Sequence, residues 1–461
     1  MPSAFHGIDL ASRALRSFQR GLDVTGHNIA NVNTPGYSRQ TISFGQTDPT
    51  TFYGMRAITL GTGVSVSTVN RVRDLFLEGR RSTEQAEFGR FSALAQNLSR
   101  IEGLMPMGPG GIGDALDRFF NSWSALSANP SEPGVRQEVQ LAGQTLALRV
   151  RSTYGDLHQF RTLSQNSVVN AIEDINRISQ SIATLNAEIR ARQTTGQQPN
   201  DLLDLRDQAV QELSLLADVD TYRLGDGSIG VYMNQFPMVD ASGARPLPTT
   251  YDAATQTLTD ANGTYEVRGG TLAGLFQSIV AVEDSMRQLD TLANTLRTEF
   301  NSVHITGTNL NGTSGIRFFN DSTPPNPQSG AIDFDLSAEV RADTSNIAAG
   351  VSGAAGDGGL ALSLSRLRDT SLTALGDRTF NRFYSDLLGQ IGRDSAYYRS
   401  ARDTQVAVIE QIDQQIQSVS GVSLDDEMAN LMKFQRSYQA AAKALTVFDQ
   451  MTEDLIGMLR R

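Results

Sequence analysis

Apolar residues recur at alternating steps of four and three at both ends of the chain, and that spacing demands helices that cannot stand alone. Near the start the positions are Ala4, Ile8, Ala11, Leu15, Phe18, Leu22, Thr25 and Ile29, a heptad seam with one mild polar break. Near the end, Leu424, Leu431, Tyr438, Leu445, Thr452 and Leu459 fall seven apart, with Phe434, Ala441, Phe448 and Leu455 between them. A seam this narrow buries itself only against another helix. Ser423 opens a Ser-x-x-Asp capping pattern with Asp426. Asp425, Asp426 and Glu427 then fill the first turn, and Arg460 and Arg461 the last, as the helix dipole favours. Two arrangements satisfy the pattern: the terminal helices pair with each other, or each docks as an amphipathic helix on a globular body. We expect N-to-C pairing.

More helix lies between the ends. Val168, Ile175, Ile182 and Ile189 repeat every seven residues with Ile178 and Leu185 filling the seam, which predicts a helix over about 157–195, roughly 55 Å long at 1.5 Å per residue. Leu387, Ile391, Tyr398, Val408, Ile412 and Val419 mark another over about 378–420, and a third runs from Leu272 to about His304. The pattern changes near Asp218. Short β-like runs surround Asp226-Gly227, Asn262-Gly263 is a hairpin signal, and "DSTPPNPQSG" and "GVSGAAGDGG" are loop-like. The expected fold is mainly α: an elongated body of long helices with terminal coiled-coil helices and a small β-rich insertion. The expected domains are an inner pair, 1–35 and 424–461, mobile in the monomer; a helical rod, 36–217 and 359–423, with 269–304 packing on it; and an outer insertion, 218–268 and 305–358. Whether the insertion is one small domain or two excursions stays open at this stage.

Charge and chemistry exclude several functions. With 50 acidic and 39 basic residues the net charge is -11, against nucleic-acid binding or an anionic membrane surface. There is no cysteine, hence no disulfide or thiolate chemistry. Asp9, Arg13, Arg16 and Arg20 interrupt the first twenty residues, so no cleavable secretory signal is read there, and no later window is apolar enough for a membrane span. His6, His27, His158 and His304 lack metal-site spacing. Asp201, Asp204 and Asp207 in "NDLLDLRD" read as a solvated face opening a helix rather than a calcium or catalytic site, and Gly108 to Gly113 as a linker rather than a phosphate loop. No catalytic, metal or cofactor site is expected, and no enzyme.

The stretch "HNIANVNTPGYSRQ", His27 to Gln40, ends the first helix. Pro35 fixes the first corner of a turn and Gly36 supplies the positive φ of the second, so Thr34 to Tyr37 predicts a type II turn that presents Tyr37 and Arg39. That feature is either a binding element or a plain bend. The segment with its preceding helix resembles the amino-terminal motif shared by bacterial flagellar axial proteins: rod, hook and hook-associated proteins. The carboxy-terminal "SGVSLDDEMANLMKFQRSYQAAAKALTVFDQMTEDLIGML" resembles that of the hook-associated members, as do "INRISQSIATLNAEI", "NDLLDLRDQAVQELS" and "LDTLANTLRTEFNSVHITGTNLNG".

The resemblance implies a non-enzymatic subunit of the hook-filament junction, exported without a cleavable signal and located outside the cell. Its implied partners are further copies of itself in a ring, the hook protein, the second junction protein, and an export chaperone on the carboxy-terminal helix. The implied assembly residues are Ile8, Leu15, Phe18, Leu22, Ile29, Asn31, Asn33, Thr34, Pro35, Gly36 and Tyr37, with Leu424, Leu431, Phe434, Tyr438, Leu445, Phe448 and Leu455. An additional outer domain of some relatives is expected to be missing from 218–358. The alternatives are another axial protein of rod or hook type, and a secreted adhesin or enzyme acting through the insertion.

Overall fold

The computed structural model describes residues 5–52, 57–321, 330–354 and 356–459. Ala4, Arg460, Arg461, most of the 321–330 stretch and the Leu459 side chain, all used in the sequence reading, lie outside the described residues. In chain order come α1 (Phe5–Ala30), β1 (Gln40–Gln46), β2 (Thr50–Phe52), β3 (Ile58–Leu60), β4 (Val64–Arg71), α2 (Leu75–Leu104), α3 (Ile112–Ala128), α4 (Pro133–Thr194) and α5 (Asn200–Leu216). Short strands follow: β5 (Asp220–Arg223), β6 (Ile229–Met233), β7 (Phe236–Asp240), β8 (Gly243–Ala244), β9 (Thr250–Asp252), β10 (Thr257–Asp260) and β11 (Gly263–Glu266). The chain ends in α6 (Gly270–His304), the short α7 (Ala338–Ala342) and α8 (Gly359–Arg366), α9 (Phe380–Ser420) and α10 (Leu424–Leu459). The fold is mainly α with small antiparallel sheets, as the periodicities predict.

Two compact units form. The first draws on Met1–Ala86, Ile175–Leu247 and Gln405–Arg461, the second on Glu87–Asp174 and Pro248–Thr404.

In the first unit α1 pairs with α10, the expected N-to-C arrangement. Gly7 faces the ring of Phe448 and Gly21 that of Phe434; a Cβ on either glycine would come within 2.6 Å and 2.9 Å of those rings. Both pairs are spaced by two heptads, and their order makes the helices antiparallel. The buried face of α1 is therefore small or polar: Ala11, Ser17, Gly21, Thr25 and Asn28. Ile8, Leu15, Phe18, Leu22 and Ile29, expected to form the seam itself, are only partly buried beside it, because two backbones this close leave no room for large side chains between them.

Gln40–Gln46, Thr50–Phe52, Ile58–Leu60 and Val64–Arg71, grouped in the sequence reading with the helical rod, are strands. β1 pairs with β4 from Gln40↔Arg71 to Gln46↔Val64. Alternation in "TISFG" and "VSVSTV" is the period-two signal behind this. Phe44 of β1 reaches Phe18 and Phe434, with ring centroids at 6.2 Å and 6.0 Å. β5 to β8 form a meander in the same unit.

The second unit is built on an aromatic core. Phe119 and Trp123 of α3 pack on Phe300 of α6 with centroids at 5.0 Å and 5.1 Å, and Phe318, Phe319 and Phe334 complete the cluster. Residues 305–358, read from sequence as β and loop material of an outer insertion, thus supply core side chains to this unit, whereas 220–244 lies in the other unit. Loop-like composition concealed this: Gly, Ser and Asn dominate the segment, and the sparse aromatics are what it buries. The hairpin at Asn262-Gly263 forms as expected, joining β10 to β11.

The helix expected over 157–195 begins much earlier, at Pro133. Proline is favoured at a first helical position, where its missing N–H is unneeded. Val139, Leu146, Val150 and Leu157 bury its early turns. Gly143 breaks nothing, for a Cβ there would meet Leu336 and Phe318 at 2.9 Å and 3.0 Å.

Candidate functional site

The turn after α1 organises the site. Gly36 takes φ +78° and Tyr37 N donates to Thr34 O at 3.3 Å, so the predicted type II turn is present. Asn31 Nδ2 donates to His27 O at 3.0 Å and Thr34 Oγ1 to Asn31 Oδ1 at 3.1 Å, satisfying the helix end and bracing the turn. Asn33, Thr34, Pro35 and Gly36 are exposed. Tyr37 folds back: its hydroxyl donates to Asn28 Oδ1 at 2.7 Å and its ring sits edge-on to His27. Burial, then the charges of Asp201, Asp204 and Glu427, raise its pKa, so the phenol stays protonated.

Beyond the turn, Ser38 to Gln40 is an extended strap held in the first unit by several helices. Asp204 of α5 accepts from Ser38 N at 3.2 Å and Ser38 Oγ at 2.8 Å. Arg39 N donates to Ser420 O, at the end of α9, at 3.1 Å, and the Arg39 side chain pairs with Glu427 of α10 at 2.8 Å. Asn28 grips Gln40 on both sides: Oδ1 accepts from Gln40 N at 2.9 Å, while Nδ2 donates to Gln40 O at 2.9 Å and to Glu427 Oε2 at 3.1 Å. Arg71 closes the clasp by reaching Asp204 at 2.7 Å and Asp207 at 2.8 Å, and Arg73 pairs with Asp207 and Glu78.

This corrects two readings. Asp204 and Asp207 are not a solvated face: Asp204 is 8% exposed and is tied into the strap and the arginines, and Asp201 reaches Gln40 Nε2 at 3.4 Å. Glu427, read as a helix-dipole residue, is 2% exposed and is an interhelical anchor. Asn28 and Glu427 were missed as site residues, since nothing in a helical pattern marks which polar residue faces inward. On α10, Leu431, Phe434, Leu445 and Phe448 are partly buried, whereas Leu424, Tyr438 and Leu455 are exposed. Two apolar patches are left uncovered, Leu424, Met428 and Met432 near its start and Val447, Met451 and Leu455 near its end. Such surface is what a partner covers. Among the described residues no His, Asp or Glu cluster suits a metal ion, and no helix is long and apolar enough to cross a membrane.

Comparison with known proteins agrees with this geometry. Residues 98–319 match the family model for the flagellar hook-associated protein FlgK helical domain. Residues 8–37 match that of flagella basal body rod proteins, and 413–458 that of the flagellar basal body rod FlgEFG protein C-terminal region. Flagellar hook-associated protein 1 of Bacillus subtilis is 26% identical over 501 aligned positions, covering 99% of each chain. That of Escherichia coli is 26% identical over 557 positions, covering 98% of this chain and 99% of the relative. The latter alignment exceeds the 461 residues here, so the relative holds residues without a counterpart in this chain. The flagellar hook junction protein FlgK from Burkholderia pseudomallei shares the fold, with a TM-score of 0.64 at 17% identity, covering 74% of this chain and all of that one. With axial-type matches at both ends, the helical-domain match between them and curated relatives aligned over 98–99% of it, the chain is similar throughout to the flagellar hook-associated protein 1 family.

Proposed function

We propose that the chain is a structural subunit of the hook-filament junction of the bacterial flagellum, and that the α1–α10 pair with the strap at its base is its assembly element. The observation that carries this is the pairing itself: two heptad-spaced glycine-phenylalanine contacts fix α10 on α1, yet both apolar patches of α10 stay uncovered. Burial of a Leu, Val or Met side chain contributes about 1.5–3 kcal/mol, so neighbours covering these patches stabilise the pair substantially. Ordering of the terminal helices is thus completed by assembly at the growing tip. The partners are further copies in a ring, the hook protein on one side and the second junction protein on the other. Before assembly, an export chaperone holds α10 while the chain leaves by a route that reads no cleavable signal.

The test is co-sedimentation of the full-length chain with isolated hooks, scored at hook ends by electron microscopy. The unaltered chain binds; Met432→Asp with Met451→Asp abolishes binding while the thermal transition stays in place. Undiminished binding by that variant would remove α10 from the assembly surface.

A further inference from the structure

A groove of about 590 Å³ opens in the first unit between the end of β4, the start of α2 and the loop joining α4 to α5. Arg71, Arg73, Arg223, Leu75 and Leu203 line it. Arg206 stands behind, its pKa pushed down to about 10 by burial and then by Arg71, Arg223 and Arg73. Asp204, Asp207 and Glu78 hold Arg71 and Arg73, so four guanidinium groups meet three carboxylates and the wall stays positive in a chain of net charge -11. Among the described residues no acid pairs with Arg223. Next to Leu75, which is 52% exposed, Phe76 is 77% exposed.

The first turn of α10 is the chemical complement. Leu424 and Met428 are about half exposed, Asp425 and Asp426 are exposed, and no base pairs with either acid among the described residues. Glu427 is already engaged by Arg39. The two surfaces cannot be far apart along the molecule, because one clasp joins them: Glu427 to Arg39, the adjacent Ser38 to Asp204, and Asp204 to Arg71. Copies placed around a ring at one level bring two such different patches together, the head-to-tail contact that a closed ring uses.

We propose that this groove receives the first turn of α10 from a second copy of the chain, with Asp425 and Asp426 against Arg223 and the rim of Arg73, and Leu424 and Met428 against Leu75 and Phe76. The inference rests on the reading of the chain as a ring-forming junction subunit and names the contact between its copies.

The absence of cysteine makes the contact testable in the full-length chain. Chains carrying Arg223→Cys and Asp426→Cys are mixed, assembled on isolated hooks beside the unaltered chain, and treated with a short bismaleimide. A covalent dimer is expected from this mixture, and not when Arg223→Cys is mixed with Ser242→Cys, whose exposed position lies outside the proposed contact. In a second arm, Arg223→Glu lowers the amount assembled several-fold, and adding Asp425→Arg and Asp426→Arg to the same chain restores it. Hook binding without the dimer and without restoration overturns the contact and leaves the proposed function standing. Failure of the unaltered chain to bind hooks overturns both.

Discussion

Asn28, Asn186 and Asn301 sit inside helices, and each turns its side-chain amide onto an extended segment as though it were one residue of a neighbouring strand. Asn28 bonds both backbone groups of Gln40. Asn186 bonds both of Ile229, at 2.8 Å and 3.1 Å, and Asn301 both of Phe319, at 3.0 Å and 2.9 Å, as well as Phe318 N. A buried backbone group without a partner costs about 1–3 kcal/mol, so Asn→Leu at any of the three is expected to destabilise by roughly 2–4 kcal/mol, read by chemical denaturation. A change below about 0.5 kcal/mol would show that water replaces the amide. His304 gives a pH signature of the second unit. It is fully buried against Trp123 and Phe318, with Nδ1 bonded to Ile316 O at 2.8 Å and Nε2 accepting from Ala348 N at 3.0 Å, and burial drives its pKa from 6.5 to about 4. The folded chain therefore refuses a proton that the unfolded chain takes. The stability His304 contributes is present above pH 6.5 and is lost as pH falls from 6.5 towards 4, on the order of 3 kcal/mol at about 1.4 kcal/mol per pH unit. Thermal midpoints of the native chain and His304→Asn across that window should converge on acidification; parallel curves would contradict the assignment.

Among the elements, the terminal helices were legible in the sequence because a heptad repeat specifies both a helix and the need for a partner. Which residues touch was not legible. The repeat predicts large apolar knobs on α1, whereas the contact face is glycine, alanine and serine, and that choice depends on how closely the backbones approach, a tertiary quantity. Gly21→Val should therefore weaken the α1–α10 pair despite improving helix propensity: the ring of Phe434 occupies the space, and overpacking costs about 1–3 kcal/mol. Faster amide exchange in α1 and α10, with α6 unchanged, is the expected readout; uniform acceleration would mean that the pair and the second unit unfold together. The strap shows a similar limit. Thr34-Pro35-Gly36 announces its turn locally, but Asp204 announces only a helical acid, and its burial against Ser38 and Arg71 comes from residues far away in sequence. Asp204→Ala leaves Ser38 N without its acceptor and Arg71 with Asp207 alone, so it should destabilise by about 1–3 kcal/mol, more than Asp201→Ala at its exposed neighbour. Equal effects on the denaturation midpoint would restore the solvated-face reading.

At the scale of the whole molecule, the chain interleaves its units, since residues from the start, the middle and the end return to the first of them. Long-range sharing of this kind is invisible to a local pattern: 218–247 falls in the first unit while 248–268 and 305–358 fall in the second, although all three read alike as insertion material. Function was more legible than architecture, because motifs at the two ends and in the helical interior carry the family resemblance, while the division of the interior depends on which aromatics are buried. The central claim is that α10 is an incomplete surface finished by assembly. Amide hydrogen exchange on the full-length chain, free and bound to isolated hooks, addresses it most directly. The account predicts that α1 and α10 exchange faster than α6 in the free chain and gain protection on binding, with α6 unchanged. Binding that protects only 250–266, leaving α10 as it was, would contradict it.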